Sequence, residues 1–182
     1  SEMCIRDSDT PVIVFVNKMD RDGKNRFDLL EEIEKELNIH LHPMTWPINS
    51  GKEFKGVYNL DEKSLVLFTA NTKAIDEDVV QINDLSDTLL ENKLGERDAH
   101  ILRDDVELVD GVHGELDVEN YLAGKVAPVF FGSAVNNFGV KEMLDTFIQI
   151  APTPRSRETS LRHLDVYEDK FSGFIFKIHA NL

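Results

Sequence analysis

From Pro11 to Val16 the chain runs apolar without a break through Val12, Ile13, Val14 and Phe15. This β-branched run is the pattern of a strand buried on both faces in a parallel sheet. Its carboxyl end delivers Asn17, Lys18, Met19 and Asp20. After a polar turn, Phe27, Leu29, Leu30, Ile33 and Leu37 recur at helical spacing among charged residues and predict an amphipathic helix over about 27–37. The theme returns near the other end. Pro128, Val129, Phe130 and Phe131 predict a short buried strand ending in Gly132, Ser133 and Ala134, and Val140, Met143, Leu144, Phe147, Ile148 and Ile150 mark a second amphipathic helix. The strand, polar turn, helix unit thus occurs twice, which predicts an α/β fold.

Between the two units the pattern shortens. Residues 40–48, 56–58 and 64–68 read as extended pieces separated by Gly, Asn and Asp turn chemistry, which predicts hairpins. Residues 76–110 are acidic, with Leu and Val at mixed helical spacings and a break at Gly95, and predict about two surface helices. A further short helix is expected over 118–122. Residues 152–169 are rich in Pro, Arg, Ser and Thr, the composition of a linker. Beyond it Phe174, Phe176, Ile178 and Ala180 alternate with Ile175, Lys177 and His179, the period of a half-buried strand that opens a new all-β domain. The expected organisation is an α/β domain over 9–151 with an insertion at about 51–127, a linker over 152–169 and a first β-domain strand over 170–182. Residues 1–8 carry no role in this reading.

Length and charge narrow the function. The 182 residues suit one domain or an internal piece of something larger. The start at Ser1 and the close directly after an apolar stretch read as those of a fragment. No run approaches the roughly 18 apolar residues of a membrane span, and no secretion signal opens the chain. The single cysteine, Cys4, excludes an intramolecular disulfide and suits a reducing cytoplasm. A net charge of −14 opposes general adhesion to nucleic acid, because phosphate binding depends on Lys and Arg displacing counterions. No direct sequence-specific nucleic-acid contact is expected.

In open α/β sheets the ligand sits outside the carboxyl ends of the strands. Here both strand ends carry small or polar side chains, so Asn17, Lys18 and Asp20 belong to one site with Ser133 and Ala134. These residues resemble the fourth and fifth guanine-recognition motifs of the translational GTPases, N-K-x-D and S-A. The chemistry suits the residue types. Guanine presents two adjacent donors, its ring N1 proton and exocyclic amine, and one carboxylate accepts both; adenine offers no such pair. Charge-assisted hydrogen bonds contribute about 1.5–3 kcal/mol each, and a site that leaves buried polar groups unpaired can reject an analogue by roughly 10⁴-fold or more. The resemblance implies Asp20 on those two donors, the Ser133 hydroxyl against the Asp20 carboxylate and the Ala134 N–H on guanine O6. It also implies the Asn17 amide near the ring, tying the two loops together, and the Lys18 stem along base and sugar. Either motif alone could be a helix cap or a turn. Their shared placement after apolar strands makes the pair specific.

Residues 43–48, Gly51, Lys52 and residues 54–58 resemble the release factor 3 family of translational GTPases, as does the stretch 168–181. The elongation factor G family usually has a Gln-Leu-Pro-Ile type of sequence where Thr45, Trp46, Pro47 and Ile48 stand. The resemblance spans about 9–182 and implies the C-terminal portion of a P-loop GTPase (Rossmann-like) G domain with an insertion, followed by the start of a β-barrel domain. It implies GTP or GDP as ligand, Mg²⁺ in the full-length parent, and the ribosome and class I peptide chain release factors as partners. Two alternatives stay open: an elongation factor G-like ribosomal GTPase, and a non-catalytic acidic interaction module.

The phosphate loop G-x-x-x-x-G-K-[ST] is not in this sequence; Gly51 to Gly56 comes nearest and is followed by Val57. Asp20 to Gly23 matches D-x-x-G only formally, since Asp20 is already committed to the base. No catalytic and no metal-ligating residue is therefore expected in this chain. His40 and His42 share a spacing of two, but two ligands without a third read as surface residues. Trp46 beside Pro47 reads as a packed aromatic at a rigid turn. The acidic stretch 76–110 reads as a solvated face, with docking of a basic ribosomal protein as its alternative.

Overall fold

The structure, a computed structural model, describes residues 10–69, 78–82, 84–154 and 156–173. Strand β1 (Val14–Val16) leads into helix α1 (Arg26–Leu37), and β2 (His40–Pro43) and β3 (Thr45–Ile48) follow. β4 (Gly56–Asn59), β5 (Ser64–Leu67) and β6 (Asp78–Gln81) continue as a meander. Helices α2 (Thr88–Leu94), α3 (Glu96–His113) and α4 (Val118–Leu122) precede β7 (Val126–Phe131) and α5 (Val140–Ile150). Ser1–Ile150 form one compact unit and Ala151–Leu182 a second.

Two sheets organise the first unit. β1, β7 and β2 form a parallel sheet in that order, and β3 to β6 form an antiparallel sheet in sequence order. β2 and β3 are one path through both sheets, bent at Met44, whose N–H donates to Val129 O at 2.9 Å while its carbonyl accepts from Leu60 N at 3.0 Å. The hairpins predicted over 40–68 are therefore present, but residues 40–43 join the parallel sheet instead, alongside β7. The two helices expected within 76–110 are present as α2 and α3, but the start of that stretch is not helical. Asp78–Gln81 is a strand, with Val79 and Val80 set opposite Val66 and Leu65. Pairing of these β-branched residues with a ready sheet edge outweighs the acidic composition around them.

Local chemistry sets the helix ends. Asn25 Oδ1 accepts from Phe27 N at 2.8 Å and starts α1, while Asn38 in the left-handed region (φ 53°) ends it. Asp87 caps α2 through Leu89 N at 2.9 Å, and Gly95 (φ 87°) separates α2 from α3 as its position in the sequence predicts. On α3, Ala99, Leu102, Val106 and Val109 recur on one buried stripe. They face a core that includes Trp46, Leu65, Ile82, Leu90 and Phe131.

Trp46 is fully buried, as a packed aromatic should be. Its ring lies 4.8 Å from Phe27 and 5.7 Å from Phe131, and its Nε1 donates to Asp105 Oδ2 at 3.1 Å. Arg26 pairs with the same carboxylate, so α1, β3 and α3 meet on one residue. A ring of this size contributes about 4–6 kcal/mol at roughly 25 cal/mol per Å² of buried area. On the other side of the insertion, Lys55 Nζ reaches Asp98 Oδ2 at 2.5 Å. Burial alone would raise the Asp98 carboxyl, but the Lys55 ammonium bonded to it and the charges of Lys55 and Arg97 outweigh it and hold it below the usual carboxylate range.

The two predicted buried strands differ. β7 is flanked on both edges and is buried from Ala127 to Phe131. β1, expected to be buried on both faces, pairs only with β7 among the described residues, and only its Val16 is buried. Helix α5 forms where the apolar spacing predicts, yet Leu144, Phe147 and Ile148 remain 47%, 50% and 76% exposed. His40 and His42 are also not alike. His40 is exposed as expected, whereas His42 is buried where β2 lies along β7.

In the second unit, the segment with linker composition carries a two-residue hairpin, β8 (Arg157–Glu158) against β9 (His163–Leu164). Its turn is closed by Thr159, whose N–H donates to Arg162 O at 3.1 Å and whose hydroxyl accepts from Arg162 N at 3.0 Å. The expected strand at 174–180 and residues 1–8 lie outside the described residues.

Candidate functional site

β1 and β7 run in parallel with Val16 opposite Phe131 as the last pair, so the loops beginning at Asn17 and Gly132 leave the sheet at the same level. Backbone bonds then interleave them: Gly132 N donates to Val16 O at 3.0 Å, and Met19 N donates to Gly132 O at 3.0 Å. Residues more than a hundred positions apart are thereby held as neighbours.

Two side-chain bonds span the loops. The Ser133 hydroxyl lies 2.6 Å from Asp20 Oδ1, and Ala134 N donates to Asn17 Oδ1 at 2.9 Å. Asn17 Oδ1 also accepts from Lys18 N at 2.7 Å, and Lys18 takes a left-handed backbone (φ 69°) that folds the loop back on itself. Because the Asn17 oxygen is committed to two backbone donors, its amide nitrogen is the atom left to face a ligand. Ser133 is fully buried, Asp20 is half-buried, and Asn17, Lys18 and Ala134 are exposed. An ionised carboxylate has about four acceptor positions, so Asp20 retains capacity for a pair of donors after Ser133 has taken one. The resemblance places the Ala134 N–H on guanine O6; a base oxygen there would share this N–H with Asn17 Oδ1.

Three residues not assigned to the site from the sequence contribute to it. Asn136 Nδ2 donates to Ser133 Oγ at 2.8 Å from the 3₁₀ turn Ala134–Asn136. Gly51 N donates to Met19 O at 2.9 Å, and Gly51 sits at φ +63° against Asp22, so the start of the insertion clasps the first loop. Thr45 Oγ1 accepts from Phe131 N at 3.0 Å and anchors the end of β7 to β3. The glycines were legible as turn residues, but which loop they would touch was not.

Gly132 is required by space. A Cβ there would stand 2.3 Å from Phe138 O and 2.8 Å from Phe15 Cζ. Gly132→Ala is expected to destabilise the domain by about 1–3 kcal/mol through forced backbone movement. The measurement is the thermal midpoint of the full-length protein. Gly23→Ala, where a Cβ meets nothing within 4 Å, is the control, and equal midpoints for the two variants would refute the packing argument.

A parallel sheet with two interleaved polar loops across its carboxyl edge is the arrangement of a nucleotide-binding α/β domain. Residues 3–153 match the family described as Elongation factor Tu GTP binding domain, and the chain belongs to that family. It is thus part of a GTP-binding domain of the translational GTPase class. Among solved structures, a crystal structure from Thermus thermophilus is 19% identical with a TM-score of 0.49, and the match covers 79% of this chain and 22% of that one. This chain therefore spans about a fifth of the length of that protein.

The chain has no phosphate loop, and among the described residues no group of three or more His, Cys, Asp or Glu could hold a metal ion. No helix among the described residues is long and apolar enough to cross a membrane.

Proposed function

We propose that this chain is the base-recognising, C-terminal portion of the G domain of a release factor 3-like translational GTPase. Asn17, Lys18, Asp20, Ser133 and Ala134 select guanine. The phosphate-binding and Mg²⁺-holding parts are supplied by sequence that precedes it. The observation that carries the reading is the Ser133 hydroxyl against the Asp20 carboxylate at 2.6 Å, joined to the Asn17–Ala134 bond beside it. An accidental N-K-x-D in an acidic interaction module gives no reason for such reciprocal ties between distant loops.

The upstream part has a place to dock. The exposed apolar face of α5, and β1, which among the described residues pairs only with β7, are surfaces that a larger α/β sheet would cover. The whole protein would use GTP and Mg²⁺ in the cytoplasm to drive class I release factors off the ribosome after termination. The specific support for that role is the resemblance carried by Thr45, Trp46, Pro47 and Ile48 and by the residues around Tyr58, which form β3 and β4 of the antiparallel sheet.

A recycling assay on post-termination ribosomes tests it. With the full-length protein and GTP, faster dissociation of a class I release factor is the expected result. Stimulated translocation without such recycling would assign the protein to the elongation factor G kind instead.

A further inference from the structure

Ser133 can face Asp20 in two ways, and only one is productive. Its hydroxyl has a single proton and several directions in which to point it. Pointed at Asp20 Oδ1, it pins the carboxylate; pointed elsewhere, it leaves one oxygen lone pair facing another. The serine alone does not settle this, because a hydroxyl rotates at little cost.

Asn136 settles it. Its side-chain nitrogen lies 2.8 Å from Ser133 Oγ and can only donate. The Ser133 oxygen is therefore the acceptor in that bond, and its own proton is left for Asp20 Oδ1 at 2.6 Å. The reverse orientation of the Asn136 amide would set its oxygen and the Asp20 carboxylate to compete for one hydroxyl proton. With Asp20 ionised, only the donating orientation satisfies both bonds. The backbone fixes the donor's position. Asn136 N donates to Ser133 O at 3.0 Å, Phe138 N donates to the same oxygen at 3.0 Å, and Ser133 N donates back to Phe138 O at 3.0 Å. Ser133 is fully buried in this turn, so water does not substitute for the amide as a donor.

We propose that Asn136 is a positioning residue for guanine selection, acting through a directed hydrogen-bond relay from Asn136 Nδ2 to the Ser133 hydroxyl to the Asp20 carboxylate. This rests on the assignment of Asp20 to the base. Asn136 itself touches no base. It sets the proton direction of Ser133, and Ser133 sets the rotation of the carboxylate that must meet two guanine donors at once.

The test compares GDP with IDP, whose base lacks the exocyclic amine, by competition against a fluorescent GDP analogue on the full-length protein. Asn136→Ala is expected to weaken GDP binding by on the order of three- to tenfold, the range of one hydrogen bond, and to weaken IDP binding less. The GDP/IDP preference therefore narrows. Asn136→Asp, of the same shape but without the donor, narrows it at least as far and serves where the alanine variant does not fold. In a Ser133→Ala background, Asn136→Ala changes the preference no further, because the relay is already cut. A uniform loss of both nucleotides, or an undiminished effect in the Ser133→Ala background, overturns the relay and leaves only a loop-supporting role. If the unmodified protein itself fails to prefer GDP over IDP and ADP, the base assignment falls and the relay with it.

Discussion

Asp20→Asn in the full-length protein is expected to weaken GTP binding by roughly 10²-fold or more and to raise affinity for xanthosine triphosphate. The wild-type carboxylate accepts from two guanine donors, and each charge-assisted bond contributes about 1.5–3 kcal/mol. An amide of the same shape keeps one acceptor and presents a donor in place of the second. That donor meets the guanine amine badly and the xanthine carbonyl well. The Ser133 hydroxyl still has an oxygen to bind at the 2.6 Å contact, so the loop pairing need not collapse with the charge. Equilibrium titration with GTP and xanthosine triphosphate measures both arms. Unchanged GTP affinity with no gain for the xanthine nucleotide would remove Asp20 from the base site.

The second large effect concerns the 182 residues by themselves. Purified in isolation, they are expected to show no GTP turnover and no saturable binding at micromolar nucleotide, although the base-recognition loops are present. In phosphate-loop GTPases the backbone amides, Lys and Mg²⁺ around the phosphates supply most of the affinity and the transition-state stabilisation. The chain contains no such loop. Its architecture compounds the loss: α5 leaves Phe147 and Ile148 at least half exposed, and β1 has β7 as its one described neighbour. An exposed apolar helix face favours association between chains. Calorimetric titration with GTP and Mg²⁺, together with a phosphate-release assay, decides the matter. Micromolar binding with turnover would place a working phosphate site within these residues.

Much of this was legible along the chain because the signals are local. Continuous apolar runs at 11–16 and 128–131, each followed by polar residues and a 3.6-period stripe, announce strand, loop and helix before any contact is known. Gly95 stands at the break the sequence marks between α2 and α3, whereas the caps that Asn25 and Asp87 supply came only with the structure. The five proposed base-site residues could be named because, at the ends of two apolar strands, they resemble the N-K-x-D and S-A motifs.

Pairing between distant segments was not legible. Whether Asp78–Gln81 would be helix or strand depended on a free edge at β5, a partner more than ten residues away. His42 became buried and His40 did not, although both lie opposite β7 residues. The same holds at the site. The sequence determined that Ser133 and Asp20 would lie at strand ends; the parallel register of Val16 with Phe131 decided that those ends meet. Gly51 clasping Met19 and Asn136 aiming the Ser133 proton belong wholly to the tertiary structure. A hydrogen bond needs its two atoms within about 3 Å, and only the packed chain sets that distance between residues the sequence keeps apart.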